Sequence, residues 1–207
     1  MQVVSARPLG DPKAGMYRIE LSDGSLFSIK SVYIPPEYCS KALCVADKVL
    51  SSQEEKALRF AASCVRAEGQ ALRLVARAEQ NSRGLSHKFK QRGHAAPCIQ
   101  RVVARLIEQA IVSDYRYAQM WLRARLARRL ESPRYLITAL CSRGIDRATA
   151  EEALLGILDG DTEWAMLHQY LEKNHPIRHG SMAAIRQKLK YEGFSSTVID
   201  RLAEGAG

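Results

Sequence analysis

Apolar residues recur with a helical period along most of this 207-residue chain, from about residue 51 to its end. Within this region one short pattern occurs three times: an apolar pair spaced by four, followed by a glycine. The copies contain Leu85, Phe89 and Gly93; Leu136, Leu140 and Gly144; and Ile185, Leu189 and Gly193. Repetition at a period of roughly fifty residues is typical of tandem helical units that bury their apolar faces against one another. We therefore expect a mainly α fold, in which three-helix repeats form an elongated, curved array.

Signals for helix ends divide the helical region into three repeats, which we place at residues 51–110, 111–159 and 160–207. The first of these ranges also includes a linking helix. Short polar side chains that can accept a hydrogen bond from a helix N-terminus predict the later helix starts. These are Ser82, Asp114, Ser132 (directly before Pro133), Thr162 and Ser181, and a further helix is predicted to begin near Thr149.

The linking helix is predicted to begin at a capping box, with Ser52 followed three residues later by Glu55. Apolar residues then recur at helical spacing as far as Gln80. Gly69 lies in the middle of this segment. Because glycine weakens a helix interior, Gly69 could divide the segment into two helices.

Residues 1–50 have a different pattern, which indicates a small β-rich module. The stretch MYRIELSDGSLFSIK alternates apolar and polar residues on both sides of Asp23 and Gly24, a pair typical of a hairpin turn. A third strand is predicted near Val3, and Glu37–Leu43 could form a short helix. Hairpins alone are marginally stable, so we expect this β-hairpin module to pack on the helical part.

The net charge of +9 is concentrated in the middle of the chain. Residues 51–98 carry nine basic and four acidic side chains, and residues 99–158 carry ten and six. Such an excess indicates that a polyanion, or an acidic groove on a protein, faces this region. The alternative is a solvated surface that serves only solubility.

Arginine and lysine residues of the first two repeats are the candidate contact residues. Arg125, Arg128 and Arg129 have the spacing of neighbours on one helical face. Because guanidinium groups suit carboxylates and phosphates alike, the sequence does not separate an acidic protein from a nucleic-acid backbone. The full set is Arg77, Arg83, Lys88, Lys90, Arg92, Arg116, Arg123, Arg125, Arg128, Arg129, Arg134 and Arg143.

The helix that is predicted to begin at Asp114 also carries aromatic residues among its arginines. Tyr117, Met120, Trp121 and Ala124 share one face, which predicts that they pack in the core. The alternative is that the aromatic rings stack on nucleic-acid bases.

No catalytic constellation stands out in the sequence. It has no glycine-rich phosphate loop, and His87, His94 and Cys98 lack a fourth partner at the spacing of a zinc site. The five cysteines are scattered, which favours reduced thiols in a cytosol over a disulfide framework. No apolar run approaches the roughly 20 residues that cross a bilayer, and the N-terminus lacks a secretion signal. We expect a cytoplasmic protein with no cofactor.

In its order of elements and in three segments, the chain resembles the RecX family of bacterial recombination regulators. The segments are SDYRYAQMWLRARL (113–126), SPRYLITALCSRGI (132–145) and SRGLSHKFKQRG (82–93). The resemblance covers nearly the whole chain, and the Asp-x-x-Tyr-Ala start before a basic helix and a proline-capped helix is fairly specific.

The third repeat departs from this pattern. Ala183 stands where the first two repeats have Arg83 and Arg134, and Glu192 replaces an arginine. The resemblance therefore does not extend equally to all three repeats.

The resemblance implies an interaction protein without enzymatic activity. Members of the family bind the RecA recombinase in the groove of its filament on single-stranded DNA. They limit filament growth and so depress ATP hydrolysis, strand exchange and the coprotease function. By the same resemblance we expect a monomer that binds single- and double-stranded DNA weakly and no membrane. The alternative, from the charge alone, is a stand-alone basic DNA-binding helical repeat protein.

Overall fold

The computed structural model describes residues 1–11, 15–35, 38, 45–174 and 181–204. Within these residues the chain forms a three-stranded antiparallel sheet followed by α-helices, which confirms the predicted mainly α fold with an N-terminal β module. The strands are β1 (Val3–Pro8), β2 (Met16–Leu21) and β3 (Leu26–Lys30). The helices are α1 (Ser52–Val75), α2 (Ser82–Gln91), α3 (Ala96–Glu108), α4 (Asp114–Leu126), α5 (Pro133–Ser142), α6 (Arg147–Leu155), α7 (Gly160–Lys173), α8 (Met182–Tyr191) and α9 (Ser196–Glu204).

The sheet has the strand order β1-β2-β3, and both pairs of neighbours are antiparallel. The turn between β2 and β3 contains Gly24 at a φ of +81°, a conformation that suits glycine. The Ser25 backbone N–H donates to Asp23 Oδ1 at 2.9 Å, which fixes the turn. The predicted Asp-Gly hairpin and the third strand at Val3 are therefore confirmed, whereas the helix predicted at Glu37–Leu43 lies outside the described residues.

The described chain divides into two compact units. The first comprises residues 1–78 and 85–112, and the second comprises residues 79–84 and 113–207. The first unit thus groups the sheet with most of the first repeat, and the second groups the last two repeats. The division into four parts made from the sequence stays a prediction.

The core of the first unit joins the sheet to α1 and α3. Ile19 and Ile29 of the sheet are buried in the same apolar cluster as Leu58 of α1. Glu68 of α1 also lies in this region, with only 4% of its surface exposed. Its carboxylate accepts a hydrogen bond from Lys30 Nζ at 2.5 Å, so an ion pair also connects α1 with β3.

Two predictions about α1 are wrong in detail. The capping box consists of Ser51 and Glu54, one residue before the predicted pair, and both of its reciprocal hydrogen bonds are present. The helix also continues through Gly69 without a break. The buried alanines that face the sheet and α3, such as Ala67 and Ala71, stabilise it by packing on both sides of that glycine.

The helix starts of the later repeats agree with the sequence at Ser132 and Ser181, both of which cap the next helix. The other helix starts differ from the prediction by one to three residues. Ser113 and Asp159 are N-caps in place of the predicted Asp114 and Thr162, and Asp146 caps the helix that was predicted to begin near Thr149. Ser82 lies inside α2, where Asn81 precedes it and accepts a hydrogen bond from the Gly84 backbone N–H at 2.6 Å.

The core of the second unit corrects the predicted face of α4. Ala118 and Leu122 are fully buried, whereas Tyr117 and Trp121 are half-buried at the margin of the core. Met120 is half exposed. The buried face is thus rotated by one residue, because a small alanine permits closer approach of the neighbouring helices than the aromatic rings would.

Candidate interaction surface

The arginine at the start of α2 lies at a junction between the first and second repeats. The Arg83 side chain passes over Gly144, so closely that a Cβ atom added to that glycine would be 2.2 Å from Arg83 Cδ. Gly144 itself has a φ of +92°. Beside this contact, Asn81 Nδ2 donates to the Arg143 carbonyl oxygen at 3.1 Å. The start of α2 therefore packs on the glycine that ends α5.

A second junction of the same kind connects the second and third repeats. The Arg134 backbone N–H donates to the Glu192 carbonyl oxygen at 2.9 Å, directly before Gly193. A Cβ atom on Gly193 would lie 3.3 Å from Pro133 Cβ. The Arg134 guanidinium also stacks on the Tyr191 ring, 3.7 Å from its centroid. The start of α5 thus packs on the glycine that ends α8.

The two junctions explain the repeated pattern found in the sequence. In each, the first residues of the second helix of one repeat meet the left-handed glycine of the next repeat. Gly93 belongs to the first repeat, and a Cβ atom added there would meet nothing within 4 Å. Ala183, the counterpart of these arginines in the third repeat, is exposed. Two candidate contact residues, Arg83 and Arg134, therefore have a structural role.

Carboxylates fix the junctions between helices as well. Asp114 of α4 accepts two hydrogen bonds from Ser82, at 2.7 Å from the backbone N–H and at 2.6 Å from the hydroxyl group. In the third repeat, Glu163 accepts the same pair of bonds from Ser195, at 2.6 and 2.7 Å. Neither pair could be predicted from the sequence, because its two residues are 32 positions apart.

Several other candidate cations are held by neighbouring groups. Arg125 forms two hydrogen bonds of 2.7 Å with Glu131, and these bonds raise the pKa of its guanidinium group above the ordinary value. Arg116 Nε lies 2.8 Å from Glu79 Oε1. Their charges are therefore neutralised within the chain, and Arg125 does not form a free cluster with Arg128 and Arg129 as predicted.

Trp121 lies between two cations. The Arg143 guanidinium is 4.5 Å from the centre of its ring system and that of Arg125 is 6.0 Å away. Arg143 also donates to the Ala139 carbonyl oxygen at 2.6 Å. Both arginines thus cover the exposed side of a tryptophan whose other side packs against the core.

Three candidate arginines stay exposed at the end of α4. Arg123, Arg128 and Arg129 lie in its last turn and directly after it, and none has an ion pair in the described part of the chain. We call these three residues the α4 basic surface. Their charges are not compensated within the unit, so they are available to an anionic partner.

The remaining candidates belong to the first unit. Arg92 donates to Gln70 Oε1 at 3.4 Å, Lys88 is half-buried, and Arg77 and Lys90 are exposed. From the sequence, these four residues and the arginines of α4 are all candidate contact residues. The structure instead distributes the twelve candidates over two units and over structural and exposed positions.

An apolar groove in the second unit has no counterpart among the predictions. Its volume is about 730 Å³, and its lining includes Ile137, Leu154 and Leu155 together with Arg134 and Lys190. Leu155 has 80% of its surface exposed. The sequence could have indicated it, because Leu154 and Leu155 are adjacent in a helix and only one of them can face the core.

Two further observations concern the described residues only. No group of three or more histidine, cysteine, aspartate and glutamate side chains is placed to hold a metal ion there. None of the helices in the described ranges is long and apolar enough to pass through a membrane.

Comparison with known proteins relates the second repeat to a described family. The model of "RecX, second three-helix domain" matches residues 113–154, which begin at the α4 cap and end in α6. Proteins named "Regulatory protein RecX" from two strains of Treponema pallidum are 30% identical over 151 residues, 73% of this chain and 92% of theirs. One of the same name from Pseudomonas putida KT2440 is 29% identical over 140 residues, 65% of this chain and 87% of its own.

Solved structures of RecX proteins have a similar fold. A crystal structure of regulatory protein RecX aligns over 98% of both chains with a TM-score of 0.64 and 18% identity. RecX from Lactobacillus salivarius aligns over 69% of this chain and 96% of its own, with a TM-score of 0.52 and 20% identity.

Proposed function

Because this chain belongs to the RecX family of regulatory proteins, we propose that it binds the filament of the RecA recombinase on single-stranded DNA. Through this binding it limits filament extension and lowers the ATPase, strand-exchange and coprotease activities of the recombinase. The relatives are named as regulatory proteins, which agrees with a role in binding. The proposal needs no catalytic group in this chain.

The observation that carries the proposal is the α4 basic surface. It presents three guanidinium groups that no carboxylate of the described chain neutralises. Guanidinium groups bind carboxylates through two parallel hydrogen bonds, so this surface suits acidic side chains of a partner protein. The apolar groove of the same unit supports a protein partner, because interfaces between proteins bury an apolar centre.

Binding alone can change the fraction of the recombinase that is assembled into filaments. A protein that binds one assembly state of the recombinase more tightly than another shifts the equilibrium toward that state, by as much as the difference in binding free energy. A difference of about 1.4 kcal/mol shifts the ratio of the two states tenfold.

The test is the single-stranded-DNA-dependent ATPase of the recombinase, measured with stoichiometric amounts of this protein in moderate salt. We expect wild-type protein to lower the rate. The variant with Arg123→Gln, Arg128→Gln and Arg129→Gln is expected to lose most of this inhibition, since glutamine has a similar helix propensity but no charge.

A matched variant carries Lys173→Gln, Arg186→Gln and Arg201→Gln, which removes the same charge from exposed positions of the third repeat. It is expected to inhibit like the wild type. An unchanged ATPase rate with wild-type protein would contradict the proposed function. Equal inhibition by all three proteins would contradict the assignment to the α4 basic surface.

A further inference from the structure

The exposed face of α1 is uniformly basic over most of its length. From residue 56 to the end of the helix, every exposed charged side chain is a lysine or an arginine. The only acidic residue in this stretch, Glu68, is buried. Three of these cations, Arg59, Arg66 and Arg73, follow one another at intervals of seven residues. Arg77 follows Arg73 by four residues, just after the end of the helix. We call these four residues the α1 arginine row.

The spacing places the row along one narrow strip of the helix. Seven residues are close to two turns, so Arg59, Arg66 and Arg73 differ by only about 20° from one to the next. Arg77 follows in the turn after the end of α1. With a rise of 1.5 Å per residue, the helical part of the row extends over about 21 Å from Arg59 to Arg73.

Most of the row has no intramolecular partner. Arg59 forms ion pairs with Glu55 and Asp23, at 2.8 and 2.9 Å. Arg66 and Arg73 are exposed and have no ion pair in the described residues, and the same holds for Arg77.

Neighbouring elements add to this charge. Arg92, which follows α2, reaches Gln70 on the same strip, with Nη1 at 3.4 Å from Oε1. Arg18 of β2 shares with Arg59 and Arg66 the lining of a cavity of about 790 Å³ at the other end of the row. Cations from three different elements thus converge on one side of α1.

We propose that the α1 arginine row is a binding site for the phosphate backbone of a nucleic acid. Guanidinium groups fit phosphate oxygens, and a straight row of them follows a regular polyanion. No exposed large apolar side chain lies within the strip, since Leu72 is exposed on a different side of the helix. An acidic protein surface fits less well, because protein interfaces have an apolar centre. The proposal does not depend on the recombinase.

The experiment uses the full chain without recombinase and measures anisotropy of labelled single-stranded and duplex DNA over a range of salt concentrations. The row variant carries Arg66→Gln, Arg73→Gln and Arg77→Gln. The matched variant carries Lys173→Gln, Arg186→Gln and Arg201→Gln, exposed cations of the third repeat, so both have three fewer positive charges than the wild-type net charge of +9. Circular dichroism checks that both retain their helices.

We expect the row variant to bind at least about tenfold more weakly at low salt, whereas the matched variant stays close to the wild type. The slope of log affinity against log salt should fall in magnitude by about 2 on single strands and by about 3 on duplex, as three phosphate contacts are lost. Equal losses in both variants, or no binding of wild-type protein to either probe, would overturn the proposal. So would displacement of the DNA by polyglutamate of equal total charge as effectively as by unlabelled DNA.

Discussion

The Arg83 side chain occupies the space that a side chain on Gly144 would need. An added Cβ atom would lie 2.2 to 2.9 Å from Arg83 Cδ, Cβ and Cγ. The contact joins residues 61 positions apart and recurs, in a variant form, where Pro133 and Arg134 meet Gly193. Two physical features therefore favour glycine at this position: a positive φ and a close neighbour.

Replacement of Gly144 by alanine tests this junction. The variant combines strain from the positive φ, about 1–3 kcal/mol, with the clash against Arg83, so we expect a clear fall in the free energy of unfolding. Gly93→Ala is the control, because Gly93 has a similar φ of +78° but open space around it. Urea unfolding of both variants should show the larger loss for Gly144→Ala, and equal losses would contradict a packing role for Arg83.

The carboxylates at the helix junctions are expected to contribute to stability. Asp114→Ala removes both acceptors of Ser82, and Glu163→Ala does the same to Ser195. Loss of hydrogen bonds that partly buried donors make to a carboxylate costs about 1–3 kcal/mol, so each variant should unfold at lower urea concentration. Asp161→Ala, in the same first turn as Glu163 but exposed, should change the midpoint little. A midpoint for Glu163→Ala equal to that of the control would refute this role.

Trp121→Ala should cost less than the loss of a fully buried tryptophan. A buried one costs about 3–5 kcal/mol, but Trp121 is half-buried, so we expect roughly half of that value. Arg143→Ala should cost about 0.5–1 kcal/mol, because it removes a cation over the tryptophan ring. Thermal unfolding measures both. A loss for Trp121→Ala within the range for buried tryptophan would show that the ring belongs to the core.

Acid should destabilise the first unit through Glu54. The Ser51 backbone N–H and the Lys48 ammonium bind its carboxylate and lower its pKa from 4.5 to about 2. The unfolded state therefore binds the proton more readily, and stability is lost as pH falls from about 4.5 toward 2. Glu54→Gln does not titrate, so its unfolding midpoint should fall less steeply over this range. Parallel pH profiles for variant and wild type would count against the capping box as the cause.

The repeat pattern and most of its helices could be predicted because their determinants are local. An apolar pair four residues apart, a capping serine at Ser132 or Ser181 and a glycine at the helix end all act within one helix. The sequence predicts that α4 buries Tyr117 and Trp121, because these side chains are larger and more apolar than Ala118. The face that is buried lies one residue further along the helix and contains Ala118. Only the packed neighbours decide which of these positions faces the core.

The roles of the arginines depend on residues that are distant in sequence. The sequence alone therefore does not distinguish arginines that are neutralised within the chain from those that stay exposed. Glu79 neutralises Arg116 from 37 positions away. Glu131 binds Arg125 because the chain turns back after α4. The α1 arginine row contains one predicted contact residue, Arg77, whereas Arg59, Arg66 and Arg73 are seven residues apart and do not form a cluster in the sequence.

The junctions also bear on how such a chain can originate. The helix α5 carries both halves of the contact: its start covers Gly193 of the next repeat, and Gly144 at its end receives Arg83 of the previous one. Duplication of a gene segment of about fifty codons that encodes α5 would therefore copy a complete connector in a single step. A unit copied in this way and inserted before α7 would join both of its neighbours through contacts that the chain already contains.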